Sequence, residues 1–197
     1  PQTHLHRRCA AWGAGIGDGP PQADAGIWQH HVIAALGLEQ HPVAELLRQF
    51  QLHSNNLYRF FEQVAFSIMV RNGDAHLKNF GLLYRSREDV WLAPLFDVVT
   101  TSIYKYAQSP GGPELEDRTL ALKLFAGKHR TKAYPTTEEL IDFGRRVCGV
   151  AQPADVISRL AHAMRKTLEE AKADARVTGA LLRQMAQVWE EGYAYAR

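Results

Sequence analysis

One apolar stripe constrains the fold of this chain more than any other feature. In residues 57–70, LYRFFEQVAFSIMV, apolar side chains recur at steps of three and four, which predicts an amphipathic helix with one buried face. The polar residues Ser54, Asn55 and Asn56 precede the stripe and can cap the N-terminus of that helix. The stripe consists of Leu57, Phe60, Phe61, Val64, Ala65 and Ile68. We therefore expect this helix to lie in the core.

The hydrophobic period changes after this helix. Residues 80–84 (FGLLY) and 90–96 (VWLAPLF) are short, bulky and aromatic, and the charged turn RSRED separates them. Such a pair predicts a β-hairpin. Before the hairpin, helical periodicity is expected from about residue 27. After it, helices are expected in 136–150, about 153–172 and 178–196, and the first of these opens on a threonine cap. The predicted fold class is therefore α+β and mostly α-helical.

The first part of the chain is predicted to be a linker. Residues 10–26 are rich in Gly, Pro and Ala and have no periodic apolar pattern, which is typical of a loop. Its alternating glycines invite comparison with a nucleotide-binding G-x-G-x-x-G, but the third glycine is missing, because Asp18 or Pro20 stands in its place. We assign 1–26 to a linker or hinge-proximal segment and 27–197 to one domain.

Composition limits the class of protein. The 197 residues, 46% hydrophobic and 22% charged, are typical of one globular domain. Cys9 and Cys148 show no metal-binding or disulfide pattern, and no apolar run approaches the roughly 20 residues of a membrane helix. We therefore expect a cytoplasmic protein with no membrane contact. The net charge of +2 is too small to indicate nucleic-acid binding. The basic segment 118–133 is a candidate phosphate or acidic-partner contact, although a solvated loop is the plainer interpretation.

The stretch between the helix and the end of the hairpin contains the residue types that phosphoryl transfer requires. Asp74 and Asn79 have the D-x-x-x-x-N spacing of a kinase catalytic loop. Asp97 follows at the end of the hairpin, where kinases have a metal-binding aspartate. One carboxylate can orient the attacking hydroxyl and accept its proton, and further oxygen ligands can hold the Mg²⁺ that bridges the nucleotide phosphates. The order helix, loop, strand, turn, strand, aspartate therefore indicates kinase chemistry.

Two further side chains of the same loop suit this chemistry. His76 and Lys78 supply a hydrogen-bond donor and a cation that can neutralise the transferring phosphoryl group. Taken singly, each feature has a plainer interpretation: D-x-x-x-x-N arises by chance, N-G-D is common in turns, and Asp97 could cap a turn or a helix. The conjunction of the spacing, the flanking elements and the second carboxylate favours a site.

The same residues carry a resemblance to a known family. The runs NGDAHLKNFGLLY, LAPLFDVVTT and LALKLFAGK, followed by helices to the end, resemble the C-terminal region of HipA-family Ser/Thr protein kinases, which are bacterial toxins of toxin–antitoxin pairs. The resemblance spans 27–197 in layout and is specific over 72–101. It implies the C-terminal lobe of a protein-kinase-like fold, with a catalytic loop and a metal-binding β-hairpin. The implied roles are Asp74 as catalytic base with Lys78 beside it, His76, Leu77, Lys78, Asn79, Phe96 and Asp97 as contacts to ATP, and Asn79 and Asp97 as ligands of Mg²⁺.

The resemblance also implies partners. Members of the family phosphorylate proteins, with aminoacyl-tRNA synthetases among their targets. They are restrained by HipB, a small helix-turn-helix antitoxin that binds operator DNA. By this resemblance the chain would meet a HipB-like antitoxin directly and operator DNA only through it.

One departure from the family pattern is large. A kinase uses a strand lysine to bind the α/β-phosphates and a loop to cover them, both from its N-terminal lobe. This chain has no lysine before Lys78, and residues 1–26 lack the pattern of such a lobe. We therefore expect the nucleotide-clamping N-terminal lobe to be absent from this chain, and the chain alone to bind ATP poorly.

Two other classes of function stay open. Aminoglycoside and choline kinases have an H-G-D-x-x-x-x-N loop that is close to this one, although Asn72 replaces the histidine and Lys78 stands where those enzymes often have glycine. Alternatively, the chain could be a non-catalytic lobe that an antitoxin uses as a binding surface.

Overall fold

The structure is a computed structural model that describes residues 26–28, 44, 47–48, 55–86, 89–107, 109–116, 118–122, 124–125 and 133–197. These residues form an α+β fold with two small antiparallel sheets, in which helices predominate. In these ranges no helix has both the length and the hydropathy to cross a membrane. The helices are α1 (Asn56–Met69), α2 (Thr137–Asp142), α3 (Pro153–Ala171) and α4 (Gly179–Tyr193), and the strands are β1 (Gly26–Trp28), β2 (Leu82–Tyr84), β3 (Val90–Leu92), β4 (Lys105–Ala107) and β5 (Glu114–Glu116).

Helix α1 is the predicted core helix. Phe61, Val64 and Ala65 on its apolar stripe are fully buried. The predicted cap is wrong, however, because the side chain of Asn55, the N-cap residue, makes no capping hydrogen bond. The next residue, Asn56, is buried and faces the hairpin instead: its Oδ1 accepts from the Leu92 N–H at 3.0 Å. A buried amide needs a partner, and the open backbone of β3 supplies one.

The predicted hairpin is present, with shorter strands than expected. β2 and β3 pair antiparallel, with Leu83 opposite Trp91. A third strand, β1, pairs antiparallel with β2 and places Ile27 opposite Leu83. The expectation of helix from residue 27 is therefore wrong for residues 27–28, because the free edge of β2 offers hydrogen bonds to a bulky segment of high β-propensity. Ala44, Leu47 and Arg48 are helical, in agreement with the predicted periodicity.

The second sheet was not predicted. β4 and β5 pair antiparallel, with Tyr106 opposite Leu115. All residues of both strands are exposed, so neither strand has the alternation of buried and exposed positions by which a strand is recognised in a sequence.

The C-terminal helices follow the prediction closely. α2 begins after Thr136, whose hydroxyl accepts from the Glu139 N–H at 3.2 Å while the Glu139 carboxylate accepts from the Thr136 N–H at 2.9 Å. This reciprocal pair is the capping box that a Thr-x-x-Glu sequence favours. The helix passes into a π-helical turn at Phe143–Val147. α4 begins after Thr178, whose side chain accepts from the Leu181 N–H.

The structure describes one of the two cysteines. Cys148 is a buried free thiol, and burial raises the pKa of that thiol to about 12. The thiol therefore stays protonated at neutral pH and is chemically inert. Cys9 lies outside the described residues, and so does the predicted linker except for Gly26, which is the first residue of β1.

Helices α1 and α4 meet at a glycine. A Cβ atom placed on Gly192 would lie 1.9 Å from the carbonyl oxygen of Met69, the last residue of α1. The backbones of the two helices approach so closely here that no side chain fits between them.

This close approach gives a test of the packing. Gly192→Ala should lower the free energy of unfolding by about 1–3 kcal/mol through overpacking, although alanine is the better helix former. The control is Gly179→Ala in the same helix, where the nearest atom to an added Cβ is the mobile Arg183 side chain at 3.5 Å. Urea unfolding followed by circular dichroism should separate the two variants, and equal stability would contradict the contact between α1 and α4.

Candidate active site

The predicted catalytic loop begins where α1 ends. Arg71 has a φ of 58°, a left-handed conformation that turns the chain out of the helix. The Asn72 N–H then donates to the Ser67 carbonyl at 2.8 Å. The loop that bears Asp74 is thus attached directly to the buried helix α1.

Within this loop the structure brings Asp74, His76 and Asn79 together. The buried Asn79 side chain, 4% exposed, donates through Nδ2 to the Asp74 carbonyl at 3.0 Å. His76 Nε2 lies 3.9 Å from Asp74 Oδ1, and the Asp74 side chain is 68% exposed. The D-x-x-x-x-N spacing therefore has a structural role as well, since its last residue holds the backbone of its first. Leu77 and Lys78 are exposed on the 3₁₀ turn Leu77–Asn79.

Steric crowding explains why a glycine, Gly73, stands in the N-G-D sequence. A Cβ atom on Gly73 would lie 2.5 Å from the carbonyl oxygen of Thr119 and 2.8 Å from the hydroxyl of Thr101. The Ala121 N–H also donates to the Gly73 carbonyl at 2.8 Å. The residue before Asp74 is thus enclosed by two other segments, and the loop cannot shift without moving them.

The end of the hairpin determines the positions of Phe96 and Asp97. Gln63 of α1 donates through Nε2 to the Ala93 carbonyl at 2.7 Å, just beyond the end of β3. The Phe96 ring packs on Gly81, with its Cε1 3.2 Å from the position of an added Cβ. Asp97 is exposed and has a φ of 55°. The carboxylate therefore follows a well-anchored strand and stands in a left-handed turn.

Hydrogen bonds join the segment of Asp97 to the loop of Asp74. The Asn72 side chain donates to the Asp97 carbonyl at 3.5 Å. The N–H and the hydroxyl of Thr101 both donate to the Arg71 carbonyl, each at 3.1 Å. The same hydroxyl accepts from the Gly73 N–H at 2.8 Å. The backbone segments that bear the two predicted carboxylates thus belong to one hydrogen-bonded unit.

The side-chain oxygens of this unit are of the kind that a magnesium ion prefers. Because Asn79 Nδ2 is used in the bond to Asp74, its Oδ1 is the atom left for a cation, and Asp97 adds a carboxylate. In the described ranges no group of three or more His, Cys, Asp or Glu residues could hold a metal by itself. Asn72 Oδ1 and His76 Nδ1 are buried without a hydrogen-bond partner among the described residues. Buried polar atoms of this kind call for a water, an ion or a ligand nearby.

Two other surface features contain none of the predicted site residues. A groove of about 660 Å³ is lined by the start of α1 and by part of the segment 148–159, and it includes none of the predicted site residues. Of the basic segment 118–133, Arg118 pairs with Glu116 at 3.0 Å, as expected of a solvated surface residue. Its other basic side chains, those of Lys123, Lys128, Arg130 and Lys132, lie outside the described residues.

Sequence reasoning missed two residues of the unit. Thr101 and Arg71 organise the backbone on both sides of Asp74, yet neither was assigned a role. Nothing in the local pattern distinguishes Thr101 from the neighbouring Thr100, and an arginine at a helix end is ordinarily a surface residue. Their partners lie about 30 residues away in the sequence, so the pairing is visible in three dimensions alone.

Comparison with known proteins identifies the family of this chain. A family model described as the HipA-like C-terminal domain matches residues 26–175 of the 197. The chain belongs to the HipA-like C-terminal domain family. A protein of Sinorhizobium fredii (strain NBRC 101917 / NGR234) named "Putative kinase Y4dM" is 40% identical over 45 residues. That match covers 23% of this chain and 11% of the length of the relative.

The bonds of Thr101 can be tested by an isosteric change. Thr101→Val removes the hydroxyl and leaves the Gly73 N–H without that partner, so it should lower the free energy of unfolding by about 1–3 kcal/mol. Thr101→Ser keeps the hydroxyl and should cost less than about 1 kcal/mol, a small loss for one methyl group. Urea unfolding measures both variants. Equal stability of the two would mean that the hydroxyl does not hold the loop.

Proposed function

We propose that this chain carries the catalytic and metal-binding loops of an ATP-dependent Ser/Thr protein kinase of the HipA type. The observation that carries the proposal is the joining of the Asp74 loop to the Asp97 segment through Thr101 and Asn72. Phosphoryl transfer relies on fixed positions of a base and of metal ligands more than on covalent chemistry. A unit that joins the backbones bearing both carboxylates suits that requirement.

Asp74 is the proposed base. Its backbone is held at the preceding Gly73 and by the Asn79 amide at its own carbonyl, while its carboxylate is exposed to an incoming acceptor. In this role Asp74 orients the acceptor hydroxyl of a Ser or Thr side chain and accepts its proton as the phosphoryl group is transferred. An exposed carboxylate on a fixed backbone meets the need for both access and orientation.

Asn79 and Asp97 are the proposed metal ligands. Bound Mg²⁺ would neutralise the charge of the ATP phosphates as the terminal phosphoryl group leaves. His76, Leu77 and Lys78 lie on the same loop as Asn79, and we assign them to contacts with ATP, with Lys78 adding a positive charge. Phe96, directly before Asp97, would contact the nucleotide. The buried Asn72 Oδ1 and His76 Nδ1 support a ligand at this place, because they would otherwise lack partners among the described residues.

The wider role rests on the family. We propose that the chain acts in the cytoplasm as the toxin of a HipBA-type pair, bound by a HipB-like helix-turn-helix antitoxin and associated with operator DNA through that antitoxin. Its substrate would be a protein, with an aminoacyl-tRNA synthetase as the first candidate. A lobe that supplies a phosphate-binding lysine would complete the nucleotide site, on the same polypeptide or on a separate chain.

The test is Mg²⁺-dependent transfer of labelled phosphate from ATP to a protein acceptor, with the phosphate-binding lobe present. Asp74→Asn and Asp97→Asn should each reduce the rate by about three orders of magnitude or more, with little change in the urea midpoint. The matched control is Asp155→Asn, an exposed aspartate in the first turn of α3, which should keep its activity and lose less than about 1 kcal/mol of stability.

The same assay separates the alternatives. Transfer to an aminoglycoside but to no protein would indicate a small-molecule phosphotransferase. Absence of transfer, together with absence of Mg²⁺-dependent ATP binding in calorimetry, would indicate a non-catalytic binding lobe. Full activity of Asp74→Asn or Asp97→Asn would overturn the assignment of the site.

A further inference from the structure

We propose that Arg71 is a positioning residue through which the end of α4 holds the loop of Asp74 in place. Its effect on phosphoryl transfer rests on the function proposed above, whereas its hold on the loop does not. Two sets of contacts, one at the backbone of Arg71 and one at its side chain, carry the inference.

The backbone of Arg71 is the centre of the hydrogen bonds around Asp74. Its carbonyl accepts from Thr101 N–H and Oγ1, each at 3.1 Å, and from the Gly73 N–H at 3.2 Å. This arrangement occurs with Arg71 in the left-handed conformation, which an arginine adopts at an energetic cost. Something outside the loop must therefore hold Arg71 in that state.

The side chain of Arg71 provides that hold. It is 12% exposed, and its Nη2 lies 2.9 Å from the carboxylate of Glu191 on α4. The guanidinium carbon lies 4.4 Å from the centre of the Tyr134 ring and 5.8 Å from that of Tyr195, which are cation–π distances. The Tyr195 hydroxyl donates to the Pro135 carbonyl at 2.6 Å, so this ring is itself anchored.

The end of α4 also contacts the segment that bears Asp97. Trp189 donates through Nε1 to the hydroxyl of Thr100 at 3.1 Å, one residue before Thr101. Glu191 and Trp189 thus hold the two segments that Thr101 joins. Since Gly192 packs on the backbone of Met69, this part of α4 is also fixed against the end of α1. These contacts therefore connect the end of α4 to both the Asp74 loop and the Asp97 segment.

The contacts of Arg71 leave its guanidinium little access to a phosphate. The group is largely buried, with Nη2 paired to one carboxylate and two aromatic rings beside it, while its buried Nε has no hydrogen-bond partner among the described residues. Arg71 thus acts through the loop backbone and does not contact the reacting atoms. Glu191 has a second basic neighbour, Arg118 at 3.7 Å, so a test at Glu191 must separate the two arginines.

The first experiment compares Glu191→Gln with two controls in the full chain, with the phosphate-binding lobe present as in the assay above. Glu190→Gln changes the adjacent exposed residue of the same helix, and Arg118→Gln removes the second partner of Glu191. In Glu191→Gln, kcat should fall about tenfold or more while the KM values for ATP and for the protein acceptor stay within about twofold. Amide hydrogen exchange of residues 71–76 should become about tenfold faster, with that of 153–164 unchanged. Both control variants should match the wild type.

A double-mutant cycle with Arg71→Met provides the second test. If Glu191 acts through Arg71, adding Glu191→Gln to Arg71→Met should change neither kcat nor loop exchange further. Arg71→Lys, which keeps the charge but loses the planar stacking, should fall between the wild type and Arg71→Met.

Several outcomes overturn the inference. Wild-type loop exchange in Glu191→Gln would do so, and so would wild-type kcat in an active protein, or additive effects in the cycle. A chain that transfers no phosphate to any acceptor with the phosphate-binding lobe present would refute the proposed function. Hydrogen exchange would still decide whether Arg71 holds the loop.

Discussion

Hydrogen bonds from two buried polar side chains of α1 fix the frame on which the candidate site depends. Asn56 binds the backbone of β3 near the start of the helix, and Gln63 binds the Ala93 carbonyl near its middle. Both amides are removed from water by the apolar stripe around them and need partners, which the hairpin backbone supplies. The same helix also leads directly into the loop of Asp74. One buried element thus sets the positions of both the loop and the hairpin.

The elements that could be predicted from the sequence are those stabilised by interactions within the element itself. The apolar stripe predicted α1, the bulky runs around RSRED predicted the hairpin, and Thr136 marked the start of α2, because each signal lies within the element that it describes. Strands of three residues carry too little pattern to be recognised. β1 forms because β2, more than 50 residues later, offers an edge, and β4 with β5 buries no face at all. Their existence depends on pairing partners that the local sequence does not reveal.

The residues of the candidate site show the same difference between local and distant contacts. The spacing of Asp74 and Asn79 could be predicted because it lies within one loop, and the chain belongs to the family that these residues suggested. The contacts that orient the loop were not readable, since Arg71 meets Thr101 and Glu191 across about 30 and 120 residues. Motif spacing identifies which residues can do the chemistry. The contacts that hold those residues in place are distributed over the whole domain.

The backbone at Arg71 and Asp97 has a consequence for how such a protein can change. Among the described residues these are the two non-glycine residues with positive φ, and one lies just before the Asp74 loop while the other is the proposed metal ligand. Each conformation costs about 1 kcal/mol that glycine would largely avoid. Glycine at either position would relieve this strain, but it would remove the proposed metal ligand at Asp97 or the Arg71 side chain that contacts Glu191. Selection for stability and selection for activity therefore oppose each other at these two positions.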